Sequence, residues 1–338
     1  MIPGGQRLWC DMTDPAAVLD IRNLKVDYAS ERGIVRAVND VSFAIQPGEI
    51  FGLAGESGCG KSTIALSILR LLGAPAVIRG GQILHEGIDI LAMNDASLRQ
   101  LRWRKISMVF QSAMNALNPV MKIGDQLADV IMRHDPGSRS EVRLRVRELL
   151  QIVGIDPARS SAYPHELSGG MRQRVVIALS LALRPSLIIM DEPTTALDVM
   201  VQREIMDEIR RLQQMLGFSI LFITHDMSLL VELADRIAIM YAGEVVEYAP
   251  ASILHRQPAH PYTVGLMDSF PSLFGENRRL AGIPGSPPDM GHPPAGCRFH
   301  DRCPRVMPRC REIAPEWSWP QPDHGVRCHV YGGQEEQA

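Results

Sequence analysis

The chain has 338 residues, which at about 150 residues per domain corresponds to roughly two domains. Apolar residues make up 46% of it and charged residues 22%, a balance that excludes general disorder. The formal net charge is −3, so the broad positive field typical of nucleic-acid-binding proteins is absent. The longest apolar stretch, 175–183, is too short to cross a membrane, and no secretory signal is visible. We therefore expect a soluble chain of the cytosol.

The sequence up to about residue 250 contains patterns typical of both helices and strands. One apolar stripe repeats every three or four residues between 201 and 216, which is typical of a helix with one buried face. The runs 237–241 and 244–248 flank Ala242-Gly243 and predict a hairpin. Short β-branched runs predict strands buried on both faces of a parallel sheet; these are 50–54, 106–110, 187–190 and 220–224.

The composition changes near residues 250–258. Fourteen of the 24 prolines and four of the six cysteines lie beyond residue 249, where periodicity is weak. We expect an N-terminal tail at 1–17, an α/β domain at 18–258 and a small loop-rich extension at 259–338.

Residues 55–63 fit the phosphate-loop pattern G-x-x-x-x-G-K-[ST], between a predicted strand and a helical run at 64–72. Such a loop turns backbone N–H groups toward phosphate oxygens at a helix N-terminus. Lys61 would reach the β- and γ-phosphates, and the Ser62 hydroxyl would bind Mg²⁺. Cys59 occupies a free position of the pattern, so its thiol is expected to be incidental. The alternative is a glycine-rich turn without a ligand. The residues assigned to the nucleotide are Gly55, Ser57, Gly58, Cys59, Gly60, Lys61, Ser62 and Thr63.

Two carboxylates end the apolar run at 187–190. Asp191 suits Mg²⁺ coordination beside a phosphate loop, and Glu192 is placed to polarise a water in line with the γ-phosphate. Acidic residues can also simply mark the surface end of a strand. Together with the loop, they favour hydrolysis over binding alone.

A second candidate anion site precedes the helical run at 172–183. Ser168 can cap that helix, and Gly169 and Gly170 leave backbone N–H groups uncovered. The alternative is an ordinary capped helix. Two phosphate-facing surfaces on one chain indicate a dimer, in which ATP lies between the loop of one subunit and this helix of the other.

With these motifs in order, residues 18–258 resemble the ATP-binding cassette (ABC) family, although Met171 stands where the family more often has Gln. The resemblance implies a P-loop NTPase α/β fold with a helical subdomain. It also implies a role for Gln111 in sensing Mg²⁺ and the attacking water, and for His225 in contacting the γ-phosphate. Tyr28 would stack on adenine, and Asp198, in the segment 196–198, would cross the dimer interface. The implied catalytic residues are Glu192, His225 and Gln111, and the Mg²⁺ residues are Ser62, Gln111 and Asp191.

Four cysteines of the extension form a candidate metal site: Cys297, Cys303, Cys310 and Cys328. A reducing cytosol argues against disulfides, whereas four thiolates suit Zn²⁺ or an iron–sulfur cluster. The absence of a C-x-x-C pair departs from both zinc-ribbon and ferredoxin spacing, so unligated thiols remain an alternative. A mixed site with nearby histidines is also open; these are His292, His300, His324 and His329.

The segments 111–119, 257–263 and 296–300 resemble the oligopeptide and dipeptide importer ATPases of the ABC family. This resemblance implies a 4Fe–4S cluster on the four cysteines, acting as a structural staple. It further implies two membrane permease subunits, whose helices the segment 112–127 receives. A second ABC ATPase subunit, in a heterodimer or a homodimer, and an extracellular or periplasmic solute-binding protein complete the system. The chain would then act at the cytoplasmic face of the cell membrane.

Other functions stay open at this point. An importer motor could carry another solute, such as nickel, glutathione or an oligosaccharide. A nucleic-acid-associated ABC ATPase is disfavoured because the chain has one cassette, no heptad run and a negative net charge. A redox sensor whose cluster gates the ATPase is a third alternative. We therefore expect an ATPase subunit of a peptide importer that binds no nucleic acid.

Overall fold

The computed structural model describes residues 17–31, 33–111, 116–194, 198–269 and 282–332. The chain forms two compact units. The first draws its described residues from Met1–Ala44, Phe51–Leu91 and Thr224–Ala338, and the second from Ile45–Ile50 and Ala92–Ile223. The expected domain boundaries at residues 17 and 258 therefore stay predictions.

The strands are β1 (Leu19–Ser30), β2 (Gly33–Ile45), β3 (Ile50–Ala54), β4 (Ala76–His85), β5 (Ile88–Asp89), β6 (Ile106–Val109), β7 (Leu187–Asp191), β8 (Ser219–Thr224), β9 (Arg236–Tyr241), β10 (Glu244–Pro250), β11 (Trp317–Gln321) and β12 (His324–Arg327). The helices are α1 (Lys61–Ile68), α2 (Asp95–Arg104), α3 (Ile123–His134), α4 (Arg139–Ile152), α5 (Gly169–Leu181), α6 (Val199–Leu216), α7 (Met227–Leu233), α8 (Ala251–Arg256), α9 (Pro261–Asp268) and α10 (Arg309–Glu312). None of the helices in the described ranges is both long and apolar enough to span a membrane.

The first unit contains two sheets. One has the strand order β2-β1-β4-β5, with β1 and β4 antiparallel from Leu19 opposite His85 to Tyr28 opposite Ala76. In the other, the strands of this unit follow the order β11-β12-β10-β9-β3, and β3 is parallel to β9. Every residue of β3 is buried, as expected for a strand covered on both faces. Its Phe51 ring stacks on Phe43 at 4.9 Å between centroids.

The second unit contains the parallel strands β8, β7 and β6, together with helices α2 to α6. All residues of β7 and β8 are buried. Helix α6 buries Ile205, Ile209 and Leu212 on the stripe that the sequence predicts. Leu216, the last residue of the helix, is instead 43% exposed, and the C-cap Gly217 has the left-handed backbone typical of a helix end.

The predicted α/β architecture and the hairpin β9–β10 are confirmed, but the extension is less loop-like than expected. Its strand β12 pairs antiparallel with β10, and β11 pairs with β12 at the sheet edge. This hairpin is difficult to predict from the sequence because Pro320 lies within β11. Proline argues against a strand, since a sheet tolerates it mainly on an edge strand.

A buried carboxylate joins the extension to β10. Glu247 has no exposed surface, and its side chain accepts hydrogen bonds from the backbone N–H groups of Ala259 and His260. His324 Nε2 of β12 lies 2.7 Å from Glu247 Oε1. Because a buried carboxylate is costly unless it is hydrogen-bonded, these partners fix the chain around residue 259 against the sheet.

Candidate functional site

The phosphate loop connects β3 to α1 in the first unit. Gly55 and Gly60 have φ values of 149° and 107°, which favour glycine. A Cβ at Gly55 would run into the Met240 carbonyl oxygen, and one at Gly60 into the Ala37 carbonyl oxygen. The backbone of the loop therefore approaches its neighbours too closely for any side chain at these positions. Gly60 caps α1, and Ser57, Gly58 and Ser62 are exposed.

Lys61 is folded over the loop. Its ammonium group donates to the carbonyl oxygens of Gly55 at 2.7 Å and Glu56 at 2.9 Å, and the residue is only 5% exposed. The Cys59 Sγ lies 3.7 Å from the same Nζ. Burial raises the pKa of the Cys59 thiol, so it is protonated near neutral pH, in keeping with a passive role.

Tyr28 lies beside the phosphate loop. Its hydroxyl is 3.3 Å from the hydroxyl of Thr63 in the first turn of α1. Tyr28 is half-buried at the end of β1, so its ring is placed next to the predicted nucleotide residues. The structure therefore brings together Tyr28, Thr63, Lys61 and the glycines of the loop.

The second unit carries the acidic residues. Asp191 ends β7 and is 4% exposed, and Glu192 follows it. The Gln111 Nε2 donates to Glu192 Oε2 at 3.0 Å. Glu192 has a left-handed backbone with φ of 47°, and its N–H donates to the Ile223 carbonyl oxygen at 2.8 Å. The carboxylate and amide oxygens at this strand end are the hard donors that Mg²⁺ prefers.

Helix α5 has the predicted N-cap, but it spans Gly169–Leu181 instead of the expected 172–183, because Gly169 and Gly170 already belong to its first turn. Ser168 is its exposed N-cap, and its hydroxyl accepts a hydrogen bond from the Met171 N–H at 3.3 Å. A Cβ on Gly170 would lie 3.0 Å from Val201 of α6, so glycine permits close approach of the two helices here. Gly169 is the first residue of α5, and the N-terminus of this helix has backbone N–H groups open to an anion.

Asp198 is the N-cap of α6, where its carboxylate accepts from the Val201 N–H at 3.0 Å. The next residues, Val199 and Met200, are 79% and 73% exposed. Residues 196 and 197 of this segment lie outside the described residues, as do 112–115 of the segment expected to receive permease helices. His225 follows β8 and is exposed, and Asp226 caps α7.

The four cysteines of the extension are neighbours. The Cys297 N–H donates to the Cys310 carbonyl oxygen at 2.8 Å. Burial is the main cause that raises the pKa of Cys297 to about 12, and the other three thiols raise it further. Cys303 and Cys328 also have raised pKa values, from burial first and neighbouring thiols in addition.

The donor set fits a four-thiolate metal or cluster, although the side chains are not converged as ligands. Within the described ranges no group of three or more His, Cys, Asp or Glu residues is gathered closely enough to hold a metal ion. The histidines named as alternatives have polar partners elsewhere: His292 with Asp289, His300 with Asp301 and the Cys297 carbonyl, His324 with Glu247, and His329 with the Ile313 carbonyl. Thiols alone are therefore the better donor set.

Sequence reasoning missed Glu56, Tyr262 and Arg302. Glu56 is the second residue of the phosphate loop, and both other side chains contact it. Their separation from Glu56 exceeds 200 positions, so no local pattern could have identified them.

Comparisons with known proteins agree with this arrangement. Residues 38–195 match the family model "ABC transporter", and residues 246–310 match "Oligopeptide/dipeptide transporter, C-terminal region". The chain is 42% identical to the dipeptide transport ATP-binding protein DppD of Bacillus subtilis, over 95% of this chain and 97% of that protein. It is also 42% identical to the oligopeptide transport ATP-binding protein OppD of Escherichia coli, over 88% and 89% of the two chains.

A solved structure adds support for the fold. The ATP-binding cassette MJ0796, a dimer in a post-hydrolysis state with ADP and Pi, is similar to this chain with a TM-score of 0.61 and 29% identity. The match covers 69% of this chain and 98% of that one. The chain therefore belongs to the family of ATP-binding subunits of ABC transporters, within the group that carries the oligopeptide/dipeptide transporter C-terminal region.

Proposed function

We propose that the chain hydrolyses ATP to drive a membrane importer of dipeptides and oligopeptides. The observation that carries the hydrolytic part is the 3.0 Å contact between Gln111 and Glu192 at the end of β7, beside buried Asp191. The names of the relatives, dipeptide and oligopeptide transport ATP-binding proteins, support the cargo.

The phosphate loop binds the triphosphate in this proposal. Backbone N–H groups of the loop and of the first turn of α1 face the phosphate oxygens, and Lys61 exchanges its contacts with the Gly55 and Glu56 carbonyls for the β- and γ-phosphates. Tyr28 packs on the adenine ring. Mg²⁺, which neutralises phosphate charge, would be held by Ser62, Gln111 and Asp191.

Glu192 acts as the general base. Its carboxylate accepts a proton from the water that attacks the γ-phosphate, while the Gln111 amide orients that carboxylate. His225 contacts the γ-phosphate and helps to hold it in line. In this proposal catalysis consists mainly of positioning and charge stabilisation.

Hydrolysis takes place between two ATPase subunits. The α5 N-terminus of one subunit, with Ser168, Gly169 and Gly170, covers the γ-phosphate bound to the loop of the other. Asp198 and the exposed Val199 and Met200 lie at the interface. The partner is a second ABC ATPase chain, in a heterodimer or a homodimer.

The remaining partners are two permease subunits and a solute-binding protein on the far side of the membrane. The chain is peripheral, at the cytoplasmic face. The four tail cysteines hold a 4Fe–4S cluster, or Zn²⁺ as the alternative, which would crosslink the small extension. Because burial raises the pKa values of Cys297, Cys303 and Cys328, binding of a metal by these three thiols releases protons and is favoured by higher pH.

Substitution Glu192→Gln tests the function. We expect the purified variant to bind ATP with wild-type affinity and to hydrolyse it at least about 100-fold more slowly, because the amide is not a base. Glu316→Gln, an exposed substitution of the same chemistry, is the control and should keep the wild-type rate.

The same variants test the cargo in cells that lack the chromosomal copy of the gene. Uptake of labelled dipeptides and oligopeptides should return with the wild type and with Glu316→Gln, but not with Glu192→Gln. Restored uptake of nickel, glutathione or an oligosaccharide without restored peptide uptake would overturn the peptide assignment and leave the ATPase assignment intact. Wild-type hydrolysis by Glu192→Gln would overturn the proposed base.

A further inference from the structure

The C-terminal extension holds the second residue of the phosphate loop at two points. The Glu56 N–H donates to the Tyr262 hydroxyl at 2.9 Å. The Glu56 carboxylate accepts two hydrogen bonds from the Arg302 guanidinium, at 2.7 Å from Nη1 and 2.9 Å from Nη2. Such a bidentate pair fixes the orientation of a carboxylate as well as its distance.

Arg302 is itself rigidly held. Its side chain is 5% exposed, and its Nε donates to the Pro284 carbonyl oxygen at 2.9 Å. The guanidinium carbon lies 5.7 Å from the centroid of Tyr241 and 5.9 Å from that of Phe299. The hydrogen bonds to Glu56 raise the pKa of Arg302, so it stays charged at every working pH. A buried cation with this many partners is a fixed charge in the fold.

These contacts bear on anion binding in two ways. The Tyr262 hydroxyl accepts the hydrogen bond of the Glu56 N–H, which fixes the orientation of the loop backbone at its second residue. In addition, an unpaired carboxylate at Glu56 would repel a triphosphate bound to the same loop, and Arg302 neutralises that charge. Glu56 is 27% exposed on its side chain, so solvent screens it only in part.

We propose that Arg302 and Tyr262 are positioning residues of the nucleotide site, through which the extension sets the affinity of the phosphate loop for ATP. Arg302 cancels the Glu56 charge and Tyr262 orients the loop backbone. This inference rests on the proposed binding of ATP by that loop.

Four purified variants in the full chain test the proposal: Arg302→Ala, Glu56→Gln, the double variant, and Arg311→Ala as a control. Arg311 belongs to the same extension, is 61% exposed and pairs only loosely with Asp301, at 3.8 Å. The measurements are the dissociation constant of a fluorescent ATP analogue without hydrolysis, and KM and kcat for ATP.

Arg302→Ala should weaken nucleotide binding and raise KM about three- to tenfold, because it leaves the Glu56 charge unpaired. The kcat should change by less than about twofold, since no catalytic group has moved. Adding Glu56→Gln to Arg302→Ala should restore at least half of the lost affinity, because the repelling charge is then gone. Arg302→Lys keeps the charge but loses the bidentate geometry, so its affinity for nucleotide should lie between those of Arg302→Ala and wild type.

The sign of this rescue separates positioning from structural damage. If Arg302 only stabilised the extension, removing a second partner would not improve nucleotide binding, so a double variant as weak as Arg302→Ala or weaker overturns the proposal. Should Arg302→Ala unfold, Arg302→Gln with and without Glu56→Gln gives the same comparison with less loss of packing. Wild-type affinity in Arg302→Ala also overturns it.

The Lys61→Ala variant distinguishes failure of the proposed ATP binding by the loop from failure of the inference about the extension. Unchanged nucleotide binding in Lys61→Ala would overturn the proposed role of the loop itself. Lost binding in Lys61→Ala together with wild-type binding in the Arg302 variants would overturn only the inference about the extension.

Discussion

The backbone at Glu192 has a conformation that few residues other than glycine adopt. A left-handed φ at a non-glycine residue costs on the order of 1 kcal/mol, and it persists only where neighbours impose it. Here the N–H bond to Ile223 holds the residue at the end of β7, and Gln111 fixes the carboxylate. The left-handed backbone at Glu192 therefore ends β7 at Asp191 and sets the direction of the Glu192 side chain.

At this scale the candidate nucleotide residues could be proposed from the sequence because their spacing is local, and their roles stay predictions. Gly55 to Gly60 form one loop that leads directly into α1 at Lys61, and Glu192 directly follows Asp191 at the end of β7. Arg302 escaped prediction because it meets Glu56 across 246 positions, and an arginine carries no sign of its partner. Residues that act together within one segment can be recognised from the sequence, whereas residues that only the fold brings together cannot.

His260 gives a pH dependence that can be measured. It is 1% exposed, its Nδ1 accepts the Tyr262 N–H at 3.0 Å, and burial lowers its pKa to about 4 from 6.5, against the opposing charge of Glu247. In the unfolded chain the His260 imidazole is protonated below about pH 6.5, whereas in the folded chain it is protonated only below about pH 4. The free energy of unfolding should therefore fall as pH falls through this window, by on the order of 3 kcal/mol in total.

Substitution His260→Asn isolates this contribution, because asparagine keeps an N-cap acceptor for α9 but does not titrate. Urea unfolding at pH 7.5, 6.0 and 5.0 should give a shallower loss of stability in the variant than in the wild type. The other ionisable groups of the chain are the same in both proteins and cancel in the difference. Identical slopes would contradict the assignment.

At the scale of elements, two helices are capped alike but have different roles. Ser138 caps α4 in a capping box with Glu141, and Ser168 caps α5. The sequence predicted the cap at Ser168 and the apolar stripe of α6, since both are local patterns. It did not predict that α1 would end at Ile68 instead of residue 72. Two residues after that end, Arg70 has a positive φ of 49°, which is not a helical conformation.

The two caps make a matched test of the proposed dimer. Ser138→Ala and Ser168→Ala each remove one N-cap acceptor, so each should lower the free energy of unfolding by about 1 kcal/mol. Only Ser168→Ala should also weaken ATP-driven dimerisation of a hydrolysis-deficient protein, measured by analytical ultracentrifugation. Equal dimerisation of the two variants would contradict a γ-phosphate contact at Ser168.

At the scale of the whole molecule, arginine ion pairs attach the extension to the rest of the first unit, to which it belongs. Arg298 pairs with Glu244 at 3.0 Å and Arg327 with Asp40 at 3.5 Å, in addition to the Arg302 pair with Glu56. The proline and cysteine content predicted a separate extension, and the family resemblance implied that its cysteines hold a structural cluster. The attachment of β12 to β10 was not predictable, because strand pairing between distant segments leaves no local periodicity.

The cluster prediction belongs at this scale, since it concerns how the extension is held together. Protein purified without oxygen should be brown, with broad absorption near about 400 nm and iron and sulfide in equal amounts. Cys310→Ser should lose the colour, whereas Cys59→Ser, whose thiol lies in the phosphate loop, should keep it. Colourless protein containing zinc would contradict iron–sulfur and favour Zn²⁺, and metal-free protein would contradict both.

The edge hairpin of the extension also carries a built-in optical probe. Trp317 and Trp319 are two of the four tryptophans of the chain, with ring centroids 6.2 Å apart, and the Arg327 guanidinium carbon lies 5.0 Å from the Trp317 centroid. Replacing Trp9 and Trp103 by phenylalanine would confine indole emission to β11. Detachment of the hairpin would then be followed by a red shift of fluorescence in a stopped-flow instrument, without any attached dye.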